Sequence, residues 1–108
     1  MSPVAEYRYS LQAEADADEI TAFTIRKWDV AQAARYISGL EALCQALADG
    51  QGVGRACDHI SIGLFRIDYV SHVVFYRARP YGVRIVRVLH QRQLPEVHSF
   101  EDDEDEQE

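Results

Sequence analysis

Seven arginines and no lysine fall between residues 55 and 100: Arg55, Arg66, Arg77, Arg79, Arg84, Arg87 and Arg92. A guanidinium is a permanently charged planar fork that matches carboxylate and phosphate oxygens two at a time. Interleaved with them are His59, His72, His90 and His98, whose imidazoles titrate near neutrality and can move protons. Two chemistries follow. With an imidazole beside the 2′-hydroxyl, arginines could stabilise the charge that develops during RNA cleavage. Without one, they make a gripping surface for an anionic partner. The chain's single lysine, Lys27, lies in the first half, away from this group. No metal is expected. Cys57-Asp58-His59 is too small a cluster, and no pair has the spacing of a structural zinc site. Gly50-Gln51-Gly52-Val53-Gly54 imitates a phosphate loop but follows a helical pattern and leads into no helix, so it reads as a plain loop. No cofactor motif is present.

Charge sorts the chain into parts. The formal net charge of −7 comes from Glu101–Glu108, which holds seven acids and no base. The rest is neutral but divided: residues 1–54 carry 8 acids and 4 bases, and residues 55–100 carry 3 acids and 7 bases. The basic half is the expected working surface. The acidic run lacks the apolar residues needed to order itself and is expected to be disordered. It reads first as a solubilising extension, with a shield over the basic half as the alternative. At 108 residues the chain has room for one domain, placed at 1–100 with the tail at 101–108. No apolar run reaches the ~20 residues of a membrane span, and the first residues lack the basic start and apolar core of a signal peptide. A cytoplasmic protein is expected. Cys44 and Cys57 suit a reducing compartment, with Cys44 acting as a small hydrophobe.

These groups must be positioned by a short list of elements. Ala5–Tyr9 alternates and is rich in strand formers. Ser10 then stands at a helix N-cap, and Ala13, Ala17, Ile20, Thr24 and Trp28 recur at helical spacing over about residues 11–28. Asp29 caps a second helix whose stripe runs Val30, Ala33, Ala34, Ile37, Leu40, Cys44, Leu47, ending at Gly50. With almost no linker the helices form an antiparallel hairpin. Residues 50–61 read as a loop. Phe65–Val70, His72–Arg77 and Val83–Leu89 are strands joined by turns at Ser71 and Arg79-Pro80-Tyr81-Gly82. The fold class is therefore α+β: an N-terminal strand, a helical hairpin and a three-stranded antiparallel meander. Where the first strand joins the sheet does not follow from the pattern. Alternation puts Arg77 with Val73 and Phe75, and Arg87 with Val83 and Ile85.

The local strings resemble the ParE/RelE toxin superfamily. Gly54-Arg55 with Cys57-Asp58, Ile60 and Gly63 is similar to its GR…D-x-I…G segment. Ser71–Arg77 resembles SHVIFYR, and Ile85–Arg92 resembles I-x-RVLH-x-R, with Glu96 and His98 as the closing E-x-H. Asp16, Glu19-Ile20, Trp28, Gln32-Ala33 and Tyr36 match helix positions. The resemblance spans residues 7–98 and favours the ParE branch. Departures are Phe65 where an arginine is usual, Val70 where the turn has glycine, Gln93-Leu94 in place of Met-Asp, and the acidic tail.

The resemblance implies the toxin of a type II toxin–antitoxin system that inhibits DNA gyrase by stoichiometric binding. It implies a cognate, ParD-like antitoxin with a ribbon-helix-helix end, operator DNA being contacted only through that antitoxin. No catalytic residue is assigned. Target- or antitoxin-binding candidates are Arg66, Arg77, Arg87, His90 and Arg92 for charge-assisted hydrogen bonds, with Phe65 and Tyr76 for apolar contact. The alternatives are a RelE-like ribosome-dependent messenger RNA endonuclease and an inactive relative that only binds an antitoxin. The first lacks the tyrosine that RelE enzymes tend to carry after the fourth strand, leaving His90 or His98 to move the proton.

Overall fold

The computed structural model describes residues 4–93, 95 and 98–100. The acidic run 101–108, Leu94 and Glu96 lie outside the described residues. Seven elements follow in order: β1 (Glu6–Tyr9), α1 (Leu11–Lys27), α2 (Val30–Ala48), β2 (Arg55–Ala56), β3 (Phe65–Tyr69), β4 (His72–Arg79) and β5 (Gly82–His90). The strands form one sheet in the order β1-β5-β4-β3-β2.

Each helix starts where a short polar side chain satisfies an orphan amide. The Ser10 hydroxyl accepts from the Ala13 N–H at 3.0 Å and donates to the Val86 carbonyl at 2.8 Å, which also ties the start of α1 to β5. Asp29 accepts from the Gln32 N–H at 2.7 Å. Beyond α2, Gly50 takes a φ of +80°, the left-handed turn that glycine permits. Leu40, Cys44 and Leu47 of the predicted stripe are buried, but Val30 is 68% exposed because it sits in the first turn, beyond the sheet's cover.

Two features differ from the expectation of a three-stranded meander plus an unplaced strand. β1 lies parallel to β5, with Glu6 opposite Gly82 and Tyr9 opposite Ile85. Arg55–Ala56, within the segment read as a loop, forms a two-residue edge strand with Arg55 opposite Arg66. Two residues carry no periodicity, so only the fold discloses them. The meander is antiparallel as expected.

The sheet has a core on each face. The helix face gathers Ile20, Leu40, Cys44, Leu47, Val74, Tyr76, Val83, Ile85 and Val88 under the hairpin. The opposite, outer face gathers Cys57, Leu64, Val73, Phe75, Val86, Leu89 and Phe100, covered by the 57–64 connection and the C-terminal segment. A β-bulge links the two. Phe75 pairs with Arg87 and Tyr76 with Ile85, leaving Val86 without a partner. The extra residue breaks the alternation. Val83, Ile85 and Val88 therefore face the helices, whereas Val86 and Leu89 face outward.

Candidate interaction surface

Pairing and alternation align the arginines. Tyr7 and Tyr9, Val83 and Ile85, and Val74 and Tyr76 face the helices, so the residues between them face outward. Arg8, Arg84 and Arg77 stand opposite one another on β1, β5 and β4 and form a row across the outer face. Arg79 follows two residues after Arg77. Arg66 stands opposite Phe75 on β3, and Arg55 opposite Arg66 on β2. Six arginines thus share one face with the carboxylates Glu6 and Asp68.

Several are held in place by short contacts. Arg77 donates from Nη1 to the Ile62 carbonyl at 2.7 Å and from Nη2 to the Ser61 hydroxyl at 2.6 Å, pinning the 57–64 connection over the sheet. The Arg66 guanidinium lies 5.5 Å from the centre of the Phe75 ring, a cation–π contact. Arg8 stacks on Tyr81 at 3.8 Å and pairs with Glu6 at 2.8 Å. The same positive field opposes the burial that pushes the Cys57 thiol up: Arg66 and Arg55 both favour its thiolate.

Arg87 is engaged differently. The bulge removes it from the side of Val83 and Ile85, where simple alternation put it, and lets it reach across the free edge of β5. There it grips Asp16 of α1 through Nε (2.8 Å) and Nη2 (2.9 Å), while Nη1 donates to the Ser99 carbonyl at 3.0 Å. Asp16 also accepts from the Val88 N–H at 2.9 Å, so one carboxylate closes both the arginine and the unpaired strand edge. Those hydrogen bonds from Arg87 to Asp16 hold its guanidinium above the ordinary arginine range, against its partial burial. Asp16, one of the helix positions that match the family, thus has its partner 71 residues away.

The remaining candidates lie on the helix face. Phe65 and Tyr76 stack at 5.8 Å, and the Tyr76 hydroxyl accepts from the Gly54 N–H at 2.7 Å. A Cβ at Gly54 would overlap the Arg66 carbonyl, which accounts for the glycine before Arg55. His90 stands opposite His72, their rings 5.4 Å apart. The His72 Nδ1 is hydrogen-bonded to the Tyr36 hydroxyl at 2.7 Å, and the His90 Nδ1 accepts from the Arg92 N–H at 3.1 Å. Burial, then the neighbouring His90, pushes the His72 imidazole below its usual range. Arg92 itself is exposed in the turn after β5. A cleft of about 360 Å³ near this end is lined by Asp16, Glu19, His72, Arg87, His90 and His98.

The seven predicted residues therefore divide. Arg66 and Arg77 share the outer face, Arg87 guards its edge, Phe65, Tyr76 and His90 lie on the other side, and Arg92 is exposed in the turn after β5. Sequence reasoning missed Arg8 and Arg84, the other members of the row, because the parallel register of β1 was not derivable. It also missed Tyr36 and His72 as a pair. Among the described residues no group of three or more His, Cys, Asp or Glu side chains could hold a metal ion.

Comparison with known proteins agrees with this architecture. The family model described as ParE toxin of type II toxin-antitoxin system, parDE, matches residues 7–95. Toxin ParE1 of Caulobacter vibrioides is 40% identical over 94 residues, covering 85% of this chain and 95% of that protein. Toxin ParE1 of Mycobacterium tuberculosis is 38% identical, covering 82% and 91%. The solved chromosomal ParDE TA system from P. aeruginosa has the same fold, with a TM-score of 0.67 over 82% of this chain and 98% of that one, at 17% identity. Motifs, fold and relatives converge: the chain belongs to the ParE toxin family of type II toxin–antitoxin systems.

Proposed function

We propose that the chain acts in the cytoplasm as a stoichiometric inhibitor of DNA gyrase, silenced by a cognate ParD-like antitoxin. That antitoxin would carry a ribbon-helix-helix end, through which alone the pair contacts operator DNA. The observation that carries this reading is the division between the faces of the sheet. The guanidinium groups of Arg8, Arg66, Arg77 and Arg84 lie outward, and the imidazoles of His72 and His90 lie beneath the helices. Arginines separated from these proton carriers suit occupancy better than turnover. Arg66, Arg77, Arg87, His90 and Arg92 supply charge-assisted hydrogen bonds to target or antitoxin. Phe65 contributes apolar contact from β3, and Tyr76 supports it from beneath.

A second reading has one observation in its favour. His90, His98 and Arg87 line the same cleft, so a ribosome-dependent ribonuclease could place an acid and a cation together there. Two assays on the purified chain separate the readings. Gyrase inhibition is expected to rise until toxin matches enzyme and then to saturate, with cleaved DNA trapped. Transcripts cut in a translation extract by substoichiometric toxin, and spared by His90→Gln, would overturn it.

A further inference from the structure

We infer that the cleft between the second half of α1 and the paired ends of β4 and β5 binds a carboxylate carried on an apolar body. Its donors are the Nε2–H groups of His72 and His90. This site does not depend on which enzyme the toxin inhibits. Three observations carry it. The first is where the ring protons sit. His90 Nδ1 accepts from the Arg92 backbone N–H at 3.1 Å, so that nitrogen holds a lone pair and the proton of the neutral ring is on Nε2. His72 Nδ1 lies 2.7 Å from the Tyr36 hydroxyl. The Ser71 backbone and side chain also hydrogen-bond to that phenolic oxygen, opposing the burial that pushes the hydroxyl up. With its oxygen accepting from Ser71, Tyr36 donates its own proton to His72 Nδ1. His72 therefore carries its proton on Nε2 as well.

The second is that both donors are unanswered. Among the described residues no hydrogen bond reaches either Nε2, although the two rings stand 5.4 Å apart and line one cleft. An N–H at both positions leaves no lone pair for a metal ion, so an oxygen acceptor is what fits. The third is shape and field. The cleft has lobes of about 510 Å³ and 360 Å³ that share His72, His90 and Glu19. Volumes of this order take small ligands. The larger lobe is walled by Ile20, Ala22 and Phe23, whose ring is 50% exposed. Arg26 lines this lobe only, about 10 Å along α1 from Glu19. In the smaller lobe the Asp16 charge is already answered by Arg87. Glu19 repels an anion and Arg26 attracts it, which places the carboxylate on the Arg26 side of the imidazole pair and its apolar body against Phe23. A free organic acid or an acidic side chain beside an apolar one in a peptide supplies this chemistry.

The test uses the full chain at about pH 7.5, a unit above the ordinary imidazole value. Proton–nitrogen correlation of the isotopically labelled imidazoles should first show Nε2 protonated and Nδ1 bare in both rings. Phenylpropionate should then shift both Nε2 signals. It should bind at least about tenfold more tightly than phenylpropionamide, whose NH2 group would face one imidazole donor to donor. Phe23→Ala, at an exposed position, should weaken phenylpropionate several-fold and leave acetate unchanged, whereas Arg26→Gln should weaken both. His90→Phe keeps a ring beside His72 but removes one donor, so affinity for phenylpropionate should fall about tenfold. A capped phenylalanyl-glutamate separates the sources: tighter binding than phenylpropionate supports the site with a peptide as its ligand, weaker binding supports it with a free acid. Equal binding of acid and amide, or a bare Nε2 on either ring, would overturn the site.

Discussion

The two faces of this sheet are covered by different kinds of structure. The helix face lies under two regular helices, capped at their starts by Ser10 and Asp29, that bury a continuous stripe of Leu40, Cys44 and Leu47. Burial there pushes the Cys44 thiol up to about 12, as expected of an inert core thiol. The outer face lies under an irregular connection and the C-terminal segment, both pinned by arginines. A helix hides a sheet by packing alone. A loop must be hydrogen-bonded down, and here the groups that do so carry permanent charge. Charge at the surface of a thin layer is then available for recognition. Stability and binding share residues on one side of the molecule only.

That contrast can be broken at its joint. Asp16 and Arg87 connect α1 to the bulge, and their side chains are only 10% and 13% exposed. Removing one partner strands the other charge in a poorly solvated place, which costs about 3–5 kcal/mol. Urea denaturation of Asp16→Ala should show a loss of that size. The double variant with Arg87→Ala should lose clearly less than the sum of the singles. Simple additivity would mean the pair does not join the two layers.

The outer layer alone is tested next. Phe100→Ala removes a ring that is 9% exposed and contacts Phe75, and it should cost about 3 kcal/mol. An unchanged denaturation midpoint would show that this face needs no C-terminal cover. The same variant should weaken the protection of Cys57 against thiol reagents, whereas Cys44 under the helices stays protected.

What could be read from the sequence divides along the same line. The helices were legible because caps and a period of 3.6 are local signals: Ser10, Asp29 and Gly50 mark their ends within a residue or two. The meander was legible because its turns announce themselves at Ser71 and Pro80-Tyr81-Gly82. The outer face was not. Its row depends on β1 running parallel to β5, a pairing 76 residues apart, since Tyr7 stands opposite Val83 and Tyr9 opposite Ile85. Its edge depends on a bulge at Val86, and one unpaired residue leaves no trace in an alternating string. Arg66 and Arg77 could be nominated by type, but their neighbours could not. The family resemblance supplied the fold and the class of function that periodicity alone would not have given.

The helix face also has its own weakness. His72 is pushed low by burial and by His90, so its neutral form is favoured in the folded state. Folded pKa below unfolded pKa means that the contribution is complete above the unfolded value, about 6.5, and is lost as pH falls through the lower folded value. Around it stand Tyr36 on Nδ1, His90 alongside, and Glu19 and Arg26 across the adjoining cleft. Stability should therefore drop as pH falls below about 6.5, and His72→Gln should flatten that slope. The same slope in variant and native chain would remove His72 from the account.

The smallest expected effect belongs to a residue on neither face. Val70 turns β3 into β4 with a φ of +51°, a left-handed conformation that a β-branched side chain adopts only under strain, and its side chain is 72% exposed. Glycine removes the clash but gives the unfolded chain more freedom, and the two terms partly cancel. Val70→Gly should raise stability by about 1 kcal/mol net, seen as a higher urea midpoint with an unchanged slope. Because Val70 belongs to neither core, the gain should leave both the Cys57 protection and the Cys44 protection where they were. A change in either would mean that the hairpin turn sets the curvature on which the arginine row is aligned, and that the two faces are less separable than their covers suggest.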